Sequence, residues 1–333
     1  MTRVLAEEQV AGRCRVGGVV LSDQEPALEL GVQFRLARGS RAKFVTAVNA
    51  AHLTYTHFIY DCAGMARAHQ WIPLPRRPFL TFLHGIEVWQ GTAHPAQVLA
   101  ADRANAILSN TSFTRTKAAD LTPGLARASV CWLATEDDCP PAYTQSASGP
   151  PRVLILARLD EAAYKGHTEL IRCWPTVRAS VPNAVLTIAG TGPAASRYQQ
   201  LAHELGLSSE SVEFRGFVPE ADMPRLWAET TVFAMPSRGE GFGLVYIEAM
   251  RHGIPVIASI HDAGPEVNIE GVTGYNVNLD RPDELPDRLI RLLRDRELAT
   301  NLGANGVARW AEHFRYSAFR NRFTRFLREW IGG

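Results

Sequence analysis

The features this chain lacks exclude several classes of protein. Its five cysteines, Cys14, Cys62, Cys131, Cys139 and Cys173, form no C-x-x-C pair and are odd in number. Without metal-ligand spacing or a disulfide framework they point to a reducing cytosol, where small buried hydrophobes are the expected role of all five. No stretch approaches the roughly 20 apolar residues that a membrane-spanning helix needs. The first eight residues carry no apolar centre of the kind a secretory leader has. The expected location is therefore cytoplasmic, with peripheral contact at the inner face of a membrane left open. Charge of one sign is also missing: 35 basic residues against 34 acidic leave a net +1. A dedicated nucleic-acid binder carries a marked basic excess, so no nucleic-acid partner is expected. Neither an internal repeat nor a low-complexity segment is present.

What is there is length and alternation. The chain's 333 residues suffice for two ordinary domains, each able to bury its own core. Short continuous apolar runs, the mark of buried parallel strands, lie at 16–22, 57–60, 78–83, 106–109 and 130–133. Helical stretches at 95–104 and 113–121 separate some of them. Residues 139–151 are rich in Pro, Ser and Gly and lack an apolar period, which predicts a linker. Beyond it, strands are expected at 152–159, 184–189, 212–217, 232–236 and 255–259. Helices are expected between them at 165–180, 194–205, 220–228 and 244–252. This alternation predicts an α/β fold with parallel sheets covered by helices on both faces. Late helices are expected at 283–302 and 307–330, the second carrying Trp310, Phe314, Phe319, Phe323, Phe326 and Trp330 on one apolar face. In such sheets ligands bind outside the carboxyl ends of the strands, so chemistry should sit just after them.

The richest segment runs from Pro236 to Met250 and contains Gly239-Glu240-Gly241-Phe242-Gly243-Leu244, then Glu248. It follows a strand and opens a helix. Gly241 and Gly243 allow the backbone to approach a ligand closely. The free N–H groups at the helix start suit an anion such as a pyrophosphate. Glu240 and Glu248 flank the turn, and a carboxylate can accept two hydroxyl hydrogen bonds, as a ribose or hexose offers. The bland alternative is a tight turn with two surface carboxylates.

This block resembles the retaining GT-B glycosyltransferases of family 4, the glycosyl transferases group 1. The resemblance implies that Glu240 and the backbone of Gly241, Phe242, Gly243 and Leu244 contact the donor sugar, and that Glu248 holds the nucleotide ribose. A second segment, Arg158-Leu159-Asp160-Glu161-Ala162-Ala163-Tyr164-Lys165-Gly166-His167, is similar to the family's Arg…Lys-Gly stretch. There Arg158 and Lys165 would hold the diphosphate; two fixed cations neutralise charge growing on a departing nucleotide. They would stand in for a metal, since no Asp-x-Asp motif lies where one is expected. A third match, Phe82-Leu83-His84-Gly85-Ile86-Glu87, implies that His84 lies beside the donor sugar. The turn at Gly190 and Gly192 and the segment Arg215-Gly216-Phe217-Val218 are implied to line the donor cleft, with Phe217 and Val218 at the base. Ser109-Asn110-Thr111 and Gly264-Pro265-Glu266 also fit family patterns, although N-capping alone accounts for the first.

By this resemblance the chain is expected to have two Rossmann-like, doubly wound parallel-sheet domains facing each other across a cleft. An acceptor-side domain would span 1–138, the linker 139–151 and a donor-binding domain 152–308, with 309–333 forming a helix that crosses back. The implied reaction transfers a hexose from a UDP- or GDP-sugar, UDP being favoured, with retention at the anomeric carbon and no resident cofactor. The acceptor is open among a saccharide, a lipid-linked molecule and a small molecule; the stretch from Trp71 to Arg77 is one candidate for meeting it at a membrane. One departure stands out. The family's usual first strand and Gly-rich loop are not found, because the chain opens on an expected helix at 2–11 and Gly17-Gly18 begin an apolar run instead of following one. That motivates a rival, a catalytically impaired nucleotide-sugar binder. Two further rivals are weaker. A nicotinamide oxidoreductase would rest on the G-x-G-x-x-A match from Gly190 to Ala195, but Pro193 removes a donor from that turn. A phosphorylase or epimerase would share the fold.

Overall fold

The computed structural model of the chain describes residues 1–23, 31–71, 77–141 and 149–332. They form two compact units, one of Met1–Cys131 together with Phe319–Gly333 and the other of Trp132–Ala318. Most of the expected membrane-meeting stretch, and residues 142–148 of the expected linker, lie outside the described residues.

The first unit contains α1 (Thr2–Val10), β1 (Gly17–Val20), β2 (Gln33–Leu36), α2 (Arg41–Ala51), β3 (Phe58–Tyr60), α3 (Ala63–Ala66), β4 (Phe79–Leu83), α4 (Pro95–Asp102), β5 (Ala106–Ser109), α5 (Ser112–Leu121) and β6 (Ser129–Val130). Among the described residues β3-β4-β5-β6 form one parallel sheet in chain order, and β1 and β2 form a separate parallel pair. Helix starts follow capping chemistry: Ser40 accepts from Lys43 N ahead of α2, and Thr111 accepts from Thr114 N ahead of α5. The core is made largely of small side chains, alanine supplying nine of its seventeen buried members. The expected strand at 16–22 is shorter and only half-buried. Its Gly17 and Gly18 serve packing, since a Cβ on Gly17 would lie 2.2 Å from the Tyr55 hydroxyl and one on Gly18 2.3 Å from the Phe34 ring.

The second unit runs β7 (Arg152–Leu156), α6 (His167–Ser180), β8 (Val185–Ala189), α7 (Ala195–Glu204), β9 (Val212–Gly216), α8 (Met223–Ala228), β10 (Val232–Ala234), α9 (Leu244–Arg251), β11 (Val256–Ser259), α10 (Gly264–Val267), β12 (Gly274–Val277), α11 (Glu284–Arg294) and α12 (Arg296–His313). Helix α13 (Tyr316–Gly332) follows, its residues from Phe319 onward belonging to the first unit. All pairings in the second sheet are parallel and its order is β9-β8-β7-β10-β11-β12. Numbered within the unit this is 3-2-1-4-5-6, so the chain reverses direction across the sheet between β7 and β10, the place where such folds bind ligands. The core here is built from large side chains: Trp174, Trp310, Phe233, Phe242, Tyr246 and Phe314 are among its fully buried members.

The late helices differ from expectation. The stretch expected as one helix over 283–302 breaks at Asp295, whose carboxylate accepts from Leu298 N and starts α12. The gap expected at 303–306 is helical instead. Gly303 is there for close approach, because a Cβ on it would meet Gly253 O at 1.9 Å. The cysteines also depart from expectation: Cys131 is buried, but Cys14 and Cys139 are exposed and Cys62 and Cys173 lie between.

Candidate active site

The strand-to-helix loops after β7 and β10 meet at the sheet's switch point. Gly166 makes this possible. It caps α6 in the left-handed region, φ 92°, and a Cβ on it would lie 2.5 Å from Pro236 O. With no side chain there, the Tyr164-Lys165-Gly166 turn seats directly on the start of the β10–α9 loop. Arg238 N donates to Tyr164 O at 2.8 Å. The result is an ion pair between residues 75 apart in sequence: Lys165 Nζ lies 2.5 Å from Glu240 Oε2. Both side chains are less than a fifth exposed. Burial works against the Lys165 ammonium, but the charge and hydrogen bond of Glu240 outweigh it and its pKa is raised. The ammonium also sits 4.8 Å from the centre of the Tyr164 ring.

The far side of the Glu240 loop is fixed by Gly243, Tyr246 and Asp262. Gly243 caps α9 with φ 88° and ψ 67°, and a Cβ would run into the Tyr246 ring at 2.2 Å. Both the conformation and the space exclude any other residue. Tyr246, fully buried, donates to Met235 O at 2.7 Å and ties the helix to the end of β10. Asp262, 3% exposed, accepts from Glu240 N and Gly264 N, each at 2.9 Å. Its burial raises its pKa to about 7 against the pull of those two N–H bonds. Phe242 points into the core and is buried, while Leu244, at the first turn of α9, is exposed. Glu248 is half-buried on α9, and desolvation raises its pKa to about 6 although Arg251 pulls the other way.

Other predicted residues have a different footing. Arg158 is largely exposed and pairs with Asp160 at 2.9 Å, so it and Lys165 engage different carboxylates. Gly190 and Gly192 answer to backbone packing. A Cβ on Gly190 would strike Ala157 O at 2.0 Å and one on Gly192 would strike Leu159 O at 2.3 Å. Phe217 stands 76% exposed just beyond the carboxyl end of β9, a flat apolar surface in water, with Val218 half-buried beside it. His167, next to Lys165, is buried and stacked on Tyr198 at 4.9 Å; its ring nitrogens have no protein partner and burial lowers its pKa to about 4.

In the first unit His84 directly follows β4 and stacks on Phe82 at 5.2 Å. Its Nε2 lies 2.6 Å from Asp61 O. A carbonyl only accepts, so Nε2 carries a proton. The His84 carbonyl takes Asn110 Nδ2 at 2.7 Å, and its own N–H donates to Glu87 Oε1 at 2.5 Å. Asn110 thus belongs to the His84 turn, beyond the capping chemistry that its segment first indicates.

Sequence reasoning gave no role to Asp262, Tyr164 or Tyr246. Asp262 carried one usable signal, its position three residues after an apolar strand at the sheet's carboxyl edge.

With this geometry in hand, similarities to known proteins become informative. Residues 142–309 match the family described as Glycosyl transferases group 1. The chain is 34% identical over 185 residues to the GDP-mannose-dependent alpha-(1-6)-phosphatidylinositol monomannoside mannosyltransferase of Mycobacterium tuberculosis, covering 54% of this chain and 47% of that one. It is 35% identical over 170 residues to a GDP-mannose-dependent monoacylated alpha-(1-6)-phosphatidylinositol monomannoside mannosyltransferase of Corynebacterium glutamicum, covering 49% and 44%. The chain thus spans less than half the length of these relatives. Among solved structures it is similar to Anabaena Alr3699/HepE in complex with UDP and glucose, with a TM-score of 0.78, 20% identity and coverage of 98% and 95%. It is also similar to sucrose-phosphate synthase from Thermosynechococcus elongatus, with a TM-score of 0.79, 20% identity and coverage of 98% and 92%. At that identity these structures speak to the fold, which is the GT-B architecture.

Proposed function

The chain belongs to the glycosyl transferases group 1, and from that premise we propose that it is a retaining hexosyltransferase drawing on a nucleoside-diphosphate sugar bound at the β7/β10 switch point. The observation that carries the reading is the Lys165–Glu240 pair held between the two central loops. A cation and a carboxylate preorganised at one point can meet a diphosphate and a sugar hydroxyl together. In this reading Lys165, helped by Arg158 swinging from Asp160, neutralises the leaving diphosphate. Glu240 and the backbone of Gly241, Phe242, Gly243 and Leu244 hold the sugar. Glu248 takes the ribose hydroxyls, and Phe217 with Val218 takes the base. The Gly190–Gly192 turn borders the site and keeps its shape. By the family resemblance, His84 is the residue assigned to positive charge at the anomeric carbon. The acceptor attacks on the face the nucleotide leaves, and the leaving phosphate takes its proton.

The relatives named for GDP-mannose share 34–36% identity with this chain. Their similarity supports GDP-mannose as the first donor to try, ahead of the UDP-sugars that the sequence favours. Their names likewise support a lipid-linked acceptor met at a membrane surface. Titration with GDP and UDP, alongside Glu248→Ala, tests the donor site. One nucleotide should bind in the micromolar range, and the variant should weaken it about tenfold, the scale of one lost charged hydrogen bond. Binding of neither nucleotide would overturn the reading. Binding without any turnover of the matching sugar nucleotide would favour the catalytically impaired binder.

A further inference from the structure

We propose that Asp262 is the positioning residue that sets Glu240 in place before any donor arrives, an inference that rests on the donor-site reading above. Glu240 sits in a glycine-flanked loop, Gly239-Glu240-Gly241, which has little stiffness of its own. Its geometry is imposed from the neighbouring β11–α10 loop. One Asp262 oxygen takes Glu240 N at 2.9 Å, and Ala263 N returns a bond to Glu240 O at 3.1 Å. Donor and acceptor of the same peptide backbone are thus held by two consecutive residues. The other Asp262 oxygen takes Gly264 N at 2.9 Å, which keeps the holding loop in shape. A Cβ on Gly264 would meet Ser259 O and the Ala258 side chain at 2.9 Å, so that loop is packed against the end of β11 and cannot drift. The chain of contacts therefore runs from β11 through Asp262 to the Glu240 backbone and through its side chain to Lys165.

The chemistry needs a carboxylate. Both Asp262 oxygens accept from N–H groups, and an amide has one oxygen and one NH2, so Asp262→Asn sets a donor against a donor at one of the two bonds. Of the nucleotide contacts, only that of Lys165 passes through this clamp, by way of its bond to Glu240; those assigned to Glu248, Phe217, Val218 and Arg158 do not. Loss of the clamp should then separate nucleotide binding from chemistry on the sugar.

The test uses the full chain with GDP-mannose and UDP-glucose, water serving as acceptor and nucleotide release as the readout, in wild type, Asp262→Asn and Glu240→Gln. Asp262→Asn should bind the nucleoside diphosphate within threefold of wild type while kcat falls at least tenfold, with KM moving less and in the direction seen for Glu240→Gln. Wild-type kcat in Asp262→Asn overturns the proposal. Should that variant fail to fold, amide hydrogen exchange of the ligand-free wild-type protein decides. Protection of the Glu240 amide supports the clamp, and free exchange overturns it. If wild type neither binds nor turns over any donor, the donor-site reading falls, while the exchange measurement still tests whether Asp262 holds the loop.

Discussion

The two units share one architecture, parallel strands separated by helices, yet only the second has its strand order reversed within the described residues. In the first, β3 to β6 advance in one direction and successive loops are staggered along one edge. In the second, the reversal between β7 and β10 leaves two loops facing each other with no strand between them, and Lys165 and Glu240 occupy them. The cores differ in the same sense. Alanine dominates the first, whereas tryptophan, tyrosine and phenylalanine anchor the second. Each aromatic ring buries roughly 150–250 Å² of surface. The comparison teaches that the buried charged pair stands where the strand order reverses, above the more heavily packed sheet.

The sharpest way to break that comparison is through catalysis. Lys165→Ala and Glu240→Gln should each lower donor turnover by about 10²-fold or more, the scale of losing one preorganised charge at a reacting centre. His84→Ala in the first unit should cost on the order of tenfold, since its Nε2 is already committed to Asp61. Initial rates with the nucleotide sugar measure all three. A larger loss at His84 would move the weight of the chemistry into the first unit.

Packing provides the next contrast. Gly303→Ala in α12 should destabilise by about 1–3 kcal/mol, because its Cβ would meet Gly253 O at 1.9 Å. Gly306→Ala, one turn on, meets only Met250, its Cγ at 3.3 Å and its Cα and Cβ at 3.5 Å, and should be near neutral, helix propensity offsetting the contact. Urea midpoints of the two variants distinguish a packing glycine from a merely tolerated one.

The smallest effect is on pH. His167 and His252 are held neutral by burial, with pKa lowered from 6.5 to about 4. The unfolded chain binds these protons first, so their contribution is present above about pH 6.5 and is lost as pH falls through about 4. Asp262 and Glu248 act in the opposite sense, raised by burial from 3.8 to about 7 and from 4.5 to about 6. Their contribution is present at acid pH and is lost as pH rises through those values. Because the His167 ring nitrogens have no protein partner, His167→Phe should leave stability near pH 7 little changed and lessen the acid-side loss. Urea midpoints from pH 4 to pH 8 follow both.

Much of the second unit is legible in the sequence, because strands buried on both faces are written as unbroken apolar runs. The run at β10 and, apart from Arg152, Thr187 and Ser259, those at β7, β8 and β11 are of this kind. Strand β12 is not, since it reads Gly-Tyr-Asn-Val and holds its place by hydrogen bonds. Asn276 donates to Asn268 O at 2.9 Å, and Gly274 presses against Val256 O, where a Cβ would come within 1.8 Å. Helix α2 and strand β2 in the first unit were missed for a related reason: Arg41–Ala51 carries a weak apolar stripe and Gln33–Leu36 merely alternates. In the candidate site, Glu240, Glu248 and Lys165 are singled out in the sequence through their glycines. Asp262 does not, because a single acid acting on a backbone 22 residues away leaves no spacing to read. The glycines at 190, 192 and 303 signal something special, but close backbone approach and ligand contact look alike in a sequence.

The pairing of Lys165 with Glu240 has a kinetic side. Its partners are 75 residues apart, so the pair cannot form from local structure. It requires β7 and β10 to be docked in register, Val232 against Val153, with two other strands wound to one side. Closing so long a loop is among the slower steps of folding an α/β sheet. The centre of the sheet must therefore be assembled before the pair exists, and whatever binds there reports that assembly. On the donor-site reading proposed above, a nucleotide added during refolding would act as a clock, its capture marking the moment when the two halves of the sheet have joined.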